Sequence, residues 1–345
     1  MSVLVSPGSV FRRCAAVIVA TAIAGALSGC QGTPGRSPGG ADSTESTTSA
    51  HATSMNQQQQ ETERLRRERD RLRSQLSTPG KNATQGASPS TGTASGHPPA
   101  LRDPAALQAS FDRLAAQLGG VEGLAVAAIG GGPATQLGSW KSGVGWSTVK
   151  VPVAVAAVAQ AQDRPDASTR RLMRLALTAS DNAAAEQLWA GLGDPRSAAA
   201  HVQAVLRSAG DAETLVQSQR VRPGFTAFGQ TSWSLANQAT FMAALPCLKH
   251  SHEVLGLMGE VEADQRWGIG AMGLPSQFKG GWGPGLAGGY LVRQMGIVTL
   301  TNGSRVGLAI ASEPADGRFE TGAANLTALA RWAAANIRAT GPGGC

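Results

Sequence analysis

Two side chains capable of nucleophilic chemistry lie three residues apart near the middle of the chain. Ser147 and Lys150 belong to the segment 143–154, GVGWSTVKVPVA, which begins a long apolar run. On a helix, this spacing places the hydroxyl and the amine on one face. A lysine that accepts the proton of a neighbouring serine makes it a nucleophile, and the free N–H groups of a first helical turn favour an oxyanion. The pair therefore predicts acyl transfer through Ser147, provided that partner residues come from elsewhere.

The surrounding elements place Ser147 at a junction between a sheet and a helix. Strand-like runs at 121–129 and 134–140, joined by the Gly-Gly-Gly-Pro turn 130–133, predict a hairpin before it. Residues 149–160 are mostly small and apolar and predict a buried helix after it. The folded domain begins near residue 101 with a helix at Asp103-Pro104, where a capping residue precedes a proline.

The rest of the chain predicts a helical block, three strands and a last helix. The predicted helices are 170–177, 183–192, 198–208 and 234–245, and the segment 210–229 is irregular. The predicted strands are 277–282, 291–300 and 305–312, with a hairpin turn at Asn302-Gly303. An amphipathic helix at 325–337 follows. This order predicts an α+β fold in which helices pack on a sheet.

Two further motifs give the serine and lysine their context. Ser180-Asp-Asn182 falls in a loop between helices, and Lys279-Gly-Gly281 falls on a strand. With Ser147-x-x-Lys150 they resemble, in the same order, the three motifs of class A β-lactamases and penicillin-binding serine hydrolases. The resemblance covers about residues 101–340 and includes the flanking pattern ALTASDNAAAEQL. It implies an antiparallel sheet flanked by helices, with a reduced helical subdomain because the Ser147–Ser180 interval is short.

The resemblance also implies catalytic roles. Ser147 attacks a carbonyl and becomes acylated, Lys150 helps to remove its proton, and Ser180 passes a proton to the leaving nitrogen. For Lys150 to act as a base, burial and nearby positive charge such as Lys279 must lower its pKa.

Substrate contacts follow from the same resemblance. Asn182 holds the substrate amide or Lys150 itself, and Lys279 attracts a substrate carboxylate and polarises Ser180. The oxyanion hole consists of the backbone N–H of Ser147 and that of Trp282, which follows the motif glycine Gly281. Arg293 on the neighbouring strand makes a second carboxylate contact, although an exposed strand arginine is the plain alternative.

Two departures from the family pattern limit what this site can do. The class A enzymes carry a glutamate in the loop after Ser-Asp-Asn that activates the deacylating water, whereas residues 215–230 contain no Asp or Glu. Glu213 lies upstream, and Gln217 or Gln219 could only orient a water. Gly280 stands where the family usually has a hydroxyl residue. We therefore expect an acyl-enzyme with weak or no β-lactam turnover; the alternatives are a true β-lactamase with another water activator and a catalytically degenerate binding or scaffold lipoprotein.

The N-terminal hundred residues predict an exported, tethered protein. Residues 1–29 have the charge and apolar run of a signal peptide, and LSGC at 27–30 resembles a lipobox with Cys30 as the lipidated cysteine, a site for an acyl chain such as palmitate. The alternative is an ordinary signal with a chance cysteine. Residues 30–100 predict a disordered linker, with a short helical stalk at about 58–77 that favours a solvated single helix over a self-associating coiled coil.

Composition and motifs exclude several other functions. The net charge of +7 comes largely from the signal and linker, and no nucleic-acid-binding pattern accompanies it. A Gly-x-Ser-x-Gly motif is absent at Ser147, and no His-Glu-x-x-His or paired-cysteine spacing predicts a metal. We expect no cofactor or metal, a small-molecule or peptide acyl substrate of the cell envelope, and a location on the outer face of the cell membrane. Cys247 and Cys345 could form a disulfide, which the sequence leaves open because geometry decides it.

Overall fold

The computed structural model describes residues 104–130, 133–285, 288–338 and 345. The chain divides into the units Met1–Ala83 and Thr84–Cys345, and all described residues belong to the second. The predicted signal peptide, Cys30, linker and stalk lie outside the described residues. No described helix is both long and apolar enough to cross a membrane.

The centre of the domain is a five-stranded antiparallel sheet with the order β2-β1-β7-β6-β5. Its strands are β1 Gly120–Ala128, β2 Thr135–Gly138, β5 Ser276–Pro284, β6 Tyr290–Thr299 and β7 Arg305–Pro314. The two predicted N-terminal strands and the three predicted C-terminal strands therefore form one sheet, because β1 pairs with β7 along its whole length. This arrangement leaves β5 at an edge of the sheet.

Helices cover both faces of the sheet, as the alternation of side chains requires. Leu308 and Ile310 point into one core, with α1 (Pro104–Leu118) and α8 (Phe319–Asn336). Ala309 and Ala311 point into the other core, which includes α6 (Leu235–Ala244). The small residues on this second face allow α6 to approach closely: a Cβ at Gly307 would lie 2.4 Å from the backbone oxygen of Ala239.

A block of four helices lies between β2 and β5 in the chain. These are α2 Lys150–Gln160, α3 Ala167–Thr178, α4 Asn182–Gly191 and α5 Pro195–Ser208. Helix α2 lies at the centre, since every residue from Lys150 to Val158 is buried. The others begin at aspartate caps, in which Asp166, Asp181 and Asp194 accept hydrogen bonds from backbone N–H groups. The predicted α+β fold and the predicted helical block are thus confirmed.

Three short elements were not predicted. Strands β3 (Ser142–Val144) and β4 (Ser232–Ser234) pair as a separate small sheet, and α7 spans only His252–Met258. Elements of three and seven residues are too short to show a clear hydrophobic period.

The disulfide that the sequence left open is formed. Cys247 and Cys345 are bonded, with 5.1 Å between their Cα atoms. The bond fastens the described end of the chain to the turn that follows α6.

A buried carboxyl group in the sheet predicts pH-dependent stability. Glu122 on β1 is 1% exposed, and its Oε1 accepts hydrogen bonds from Ser312 (3.0 Å) and Asn325 (3.1 Å). Its Oε2 has no partner among the described residues. Burial raises the pKa of Glu122 from 4.5 to about 7, although the two hydrogen bonds oppose this.

We expect Glu122→Gln to reduce the fall in stability between weakly acidic and weakly alkaline pH. Because the folded state holds the proton more tightly, this stabilisation is complete below about pH 4.5 and is lost as the pH rises through about 7. The loss is at most about 3 kcal/mol. Urea unfolding of both proteins across this range measures it, since other titrating groups contribute equally to each. Parallel pH profiles for the two proteins would contradict this assignment.

Candidate active site

Ser147 lies on a tight turn that joins β3 to α2. A 3₁₀ helix spans Trp146–Val149 and continues into α2 at Lys150. The Thr148 hydroxyl holds this turn by donating to the Gly145 carbonyl (2.5 Å) and accepting from Gln238 Nε2 (2.8 Å). Ser147 is half-buried, and none of the hydrogen bonds among the described residues involves its hydroxyl. The predicted nucleophile is therefore held by its neighbours in the first turn of a helix, with its own side chain available.

Lys150 reaches from α2 to the Ser-Asp-Asn motif. Its Nζ donates to the Ser180 carbonyl (2.6 Å) and to Asn182 Oδ1 (2.7 Å), and lies 3.4 Å from the Ser180 hydroxyl. The side chain is 1% exposed. Burial lowers the pKa of Lys150 from 10.5 to about 7, while the charges of Asp181 and Glu186 oppose that shift. A substantial neutral fraction at pH 7 is what a general base requires.

Ser180 occupies a strained position between two lysines. Its φ of 59° lies in the left-handed region, which costs a serine about 1–3 kcal/mol. Lys279 Nζ, from strand β5, donates to its hydroxyl at 2.9 Å and to the Gly280 carbonyl at 3.0 Å. Burial, and then the charge of Lys150, hold the pKa of Lys279 well below its usual value. The three predicted motifs thus meet in one continuous array, Lys150–Ser180–Lys279.

The edge strand β5 runs directly against the turn that carries Ser147. A Cβ at Gly281 would lie 3.0 Å from both the Ser147 nitrogen and the Gly145 oxygen, so a glycine is needed there. The side chain of Trp282 packs with Trp267 and Phe319 among the residues of the opposite core. Trp282 therefore has its backbone, and not its ring, on the edge beside Ser147.

Arg293 does not reach the site, and its predicted role is wrong. It is 0% exposed on β6, where its Nη1 donates to the carbonyls of Gly143 and Val144. Its Nη2 donates to the Trp233 carbonyl and to Gln238 Oε1. Both Nη groups are occupied by protein acceptors, and the remaining Nε has no partner among the described residues but is buried, so no N–H of this guanidinium is open to a substrate carboxylate. Arg293 is not the exposed arginine of the plain alternative either. Arg293 instead supports the strand and turn that lead to Ser147.

The loop after α5 is held by side-chain hydrogen bonds, and its residues 215–230 include no carboxylate. Gln230 holds it by accepting from the Arg222 backbone N–H (2.7 Å) and donating to the carbonyls of Arg222, Phe225 and Thr226. Gln217 accepts from the backbone N–H of Gln219 (3.0 Å), so its side chain is engaged within the loop. The loop is therefore shaped by amide side chains.

Glu186 was missed by the sequence reasoning. It lies on α4 one turn after Asn182, and its carboxylate pairs with Arg220 of the loop at 3.0 Å. Its charge also acts on the pKa of Lys150. Its position four residues after Asn182, on the same helix face, was the available signal. Glu213, by contrast, accepts from Asn237 Nδ2 (3.3 Å) at the surface.

Solved structures with this arrangement of elements include several class A β-lactamases. The proposed class A β-lactamase PenP of Rhodopseudomonas palustris superposes with a TM-score of 0.53 at 18% identity, covering 67% of this chain and all of that one. The domain has the β-lactamase fold. An ancestral class A β-lactamase (TM-score 0.51, 18% identity, 67% and 100% coverage) and a protein named PBP-A (0.51, 19%, 67% and 95%) share this fold. No family model matches the sequence, and no curated protein sequence is significantly similar to it.

Proposed function

We propose that this chain is a serine acyl-transfer hydrolase that forms an acyl-enzyme at Ser147 and releases it slowly. The observation that carries the proposal is the Lys150–Ser180–Lys279 array, whose Lys150 lies one helical turn after the half-buried Ser147, while the Ser147 backbone nitrogen lies against the edge strand β5. The β-lactamase fold supports the proposal but does not replace it, because one fold hosts many activities.

The acylation step follows from these positions. Neutral Lys150 removes the proton of the Ser147 hydroxyl, and the serine oxygen forms a bond to the substrate carbonyl carbon while the carbonyl electrons move to its oxygen. The backbone N–H groups of Ser147 and Trp282 stabilise this oxyanion. When the carbonyl re-forms, the C–N bond breaks and the nitrogen takes a proton from the Ser180 hydroxyl, which Lys150 or Lys279 replaces.

Slow deacylation follows from the charges around the site. A hydrolytic water needs a general base, and the loop 215–230 has no carboxylate to serve as one. Glu186, the nearby carboxylate on α4, is paired with Arg220. Since a general base contributes about two to four orders of magnitude, the acyl-enzyme should accumulate.

The proposal also includes export and anchoring to the outer face of the cell membrane. Support comes from the signal-like residues 1–29 and from Cys30, which closes the lipobox-like LSGC. The linker 30–100 would then extend the domain toward substrates of the cell envelope, with no metal or cofactor needed for the chemistry. The binding or scaffold protein remains the second candidate, favoured by the missing loop carboxylate.

Incubation of the domain with benzylpenicillin and with a chromogenic cephalosporin tests the activity. We expect a slow mass increase of one penicillin per chain, mapped by peptide mass spectrometry to Ser147, and little cephalosporin turnover. Rapid multiple turnover would instead identify a true β-lactamase. Absence of any adduct in a protein with normal thermal stability would favour the binding protein.

A further inference from the structure

Arg222 is a rigidly held cation at the rim of the candidate site. Its Nη1 donates to the Pro284 carbonyl at 3.0 Å. Its guanidinium carbon lies 5.3 Å from the ring centre of Trp146 and 4.9 Å from that of Phe225. Stacking on two rings and one hydrogen bond fix the plane of the guanidinium while the side chain stays partly exposed.

The position of Arg222 relative to the nucleophile follows from strand β5. Gly281 lies against Ser147, and a Cβ at Gly283 would lie 2.6 Å from the Trp146 ring. Pro284, which accepts from Arg222, comes three residues after Gly281, or roughly 10 Å along a strand. Lys279 lies on the other side of Gly281. The edge of β5 therefore runs from Lys279, past Ser147, to Arg222.

This order assigns the two ends of a substrate, given the proposed function on which the inference rests. Ser180 protonates the leaving nitrogen, so the leaving group lies toward Ser180 and Lys279. The acyl portion must then extend the other way along β5, toward Pro284 and Arg222.

Arg222 has no carboxylate partner among the described ion pairs, unlike its loop neighbour Arg220, which pairs with Glu186. Glu313 lies near Gly285 at the end of the same strand, but its Oε1 accepts from Trp140 Nε1 at 3.0 Å. The Arg222 guanidinium is thus oriented by two aromatic rings and a backbone carbonyl. Its other N–H groups are left to bind an anion.

We infer that Arg222 forms an anion subsite for the acyl portion of the substrate. The fitting ligand is an acyl donor with a carboxylate roughly two to three extended residues before the scissile carbonyl. The planar guanidinium would bind that carboxylate through two parallel hydrogen bonds. The loop that lacks a water-activating acid thus supplies a specificity-determining arginine.

Two penicillins that differ only in charge test the inference. 6-Aminopenicillanic acid acylated with adipic acid carries a terminal carboxylate on its acyl side, and the adipic monoamide derivative carries a neutral amide of the same length. We expect the natural chain to react with the carboxylate compound about tenfold faster in the second-order rate constant of labelling. High salt should reduce that preference. Arg222→Gln should bring the ratio close to one, and Arg222→Lys should retain part of it.

Arg220→Gln is the matched control, because it removes a loop arginine at a different contact and should keep the preference. Equal labelling by both penicillins in the natural chain would overturn the inference, as would an Arg222→Gln variant that keeps the full ratio. If neither penicillin labels the protein, the proposed function fails, and calorimetric binding of the two compounds decides the subsite separately. Tighter calorimetric binding of the carboxylate compound, lost in Arg222→Gln, would still support the anion subsite. Equal affinities of the natural chain for the two compounds would reject the subsite.

Discussion

A Ser147→Ala variant should form no covalent adduct with any penicillin, even after long incubation. The hydroxyl supplies the only bond by which the proposed mechanism holds the acyl group, so the loss should be complete and not a change of rate. The variant should fold normally, because Ser147 is half-buried and no hydrogen bond among the described residues depends on its hydroxyl. Intact-protein mass spectrometry measures the adduct, and thermal unfolding confirms the fold.

The chain contains its own matched control for this experiment. Ser276 also precedes a lysine, Lys279, by three residues, but both lie on strand β5. Residues three apart on a strand point to opposite faces, so Ser276 cannot be activated in the same way. Ser276→Ala should label like the natural chain. An adduct on Ser147→Ala, or its loss on Ser276→Ala, would reject Ser147 as the nucleophile.

Lys150→Met should lower the rate of penicillin labelling by about two to four orders of magnitude. Methionine preserves the apolar stem within the buried start of α2 but cannot accept a proton. In the natural chain, labelling should increase with pH and reach half its maximum near pH 7, because burial lowers the pKa of Lys150 to about 7 and only its neutral form is a base. In the variant, this midpoint should disappear.

Labelling rates measured from weakly acidic to weakly alkaline pH provide the test. Lys150→Arg is the useful comparison, since it keeps a positive charge beside Ser180 and Asn182 but remains protonated throughout this range. It should be as slow as Lys150→Met. A Lys150→Met variant that retains the midpoint near pH 7 would transfer the role of base to another group, with Lys279 the first to examine.

The two lysines explain why the site requires the whole fold. Lys150 and Lys279 are far apart in sequence, on α2 and on β5, and both contact the hydroxyl of Ser180. Two buried amines that share one hydroxyl cannot both be fully charged at low cost. Burial lowers the pKa of both lysines, and the charge of Lys150 lowers the pKa of Lys279 further. The burial of Lys150 therefore favours a neutral base one helical turn from Ser147.

The sequence predicted the parts of this protein that depend on local pattern. Periodicity and turn residues predicted the helical block and the five strands of the main sheet, and the order of the three motifs predicted the array around Ser180. Where the signal was weak, the bounds were less accurate. Helix α8 begins at Phe319, ahead of its predicted start at 325. The sequence did not reveal this start because the residue before it, Arg318, makes no side-chain capping hydrogen bond.

Only the tertiary structure decided the features that depend on distant partners. The local sequence around Arg293 does not determine whether its side chain faces a cleft or a core. The four acceptors that hold its guanidinium in the core come from β3, β4 and α6. The disulfide between Cys247 and Cys345 joins residues that are far apart in sequence. The position of the Arg222 guanidinium likewise depends on Pro284 of a distant strand. Local pattern determined which residues could do chemistry at Ser147, whereas long-range packing determined which of them reach it, because burial and hydrogen bonding are properties of the assembled fold.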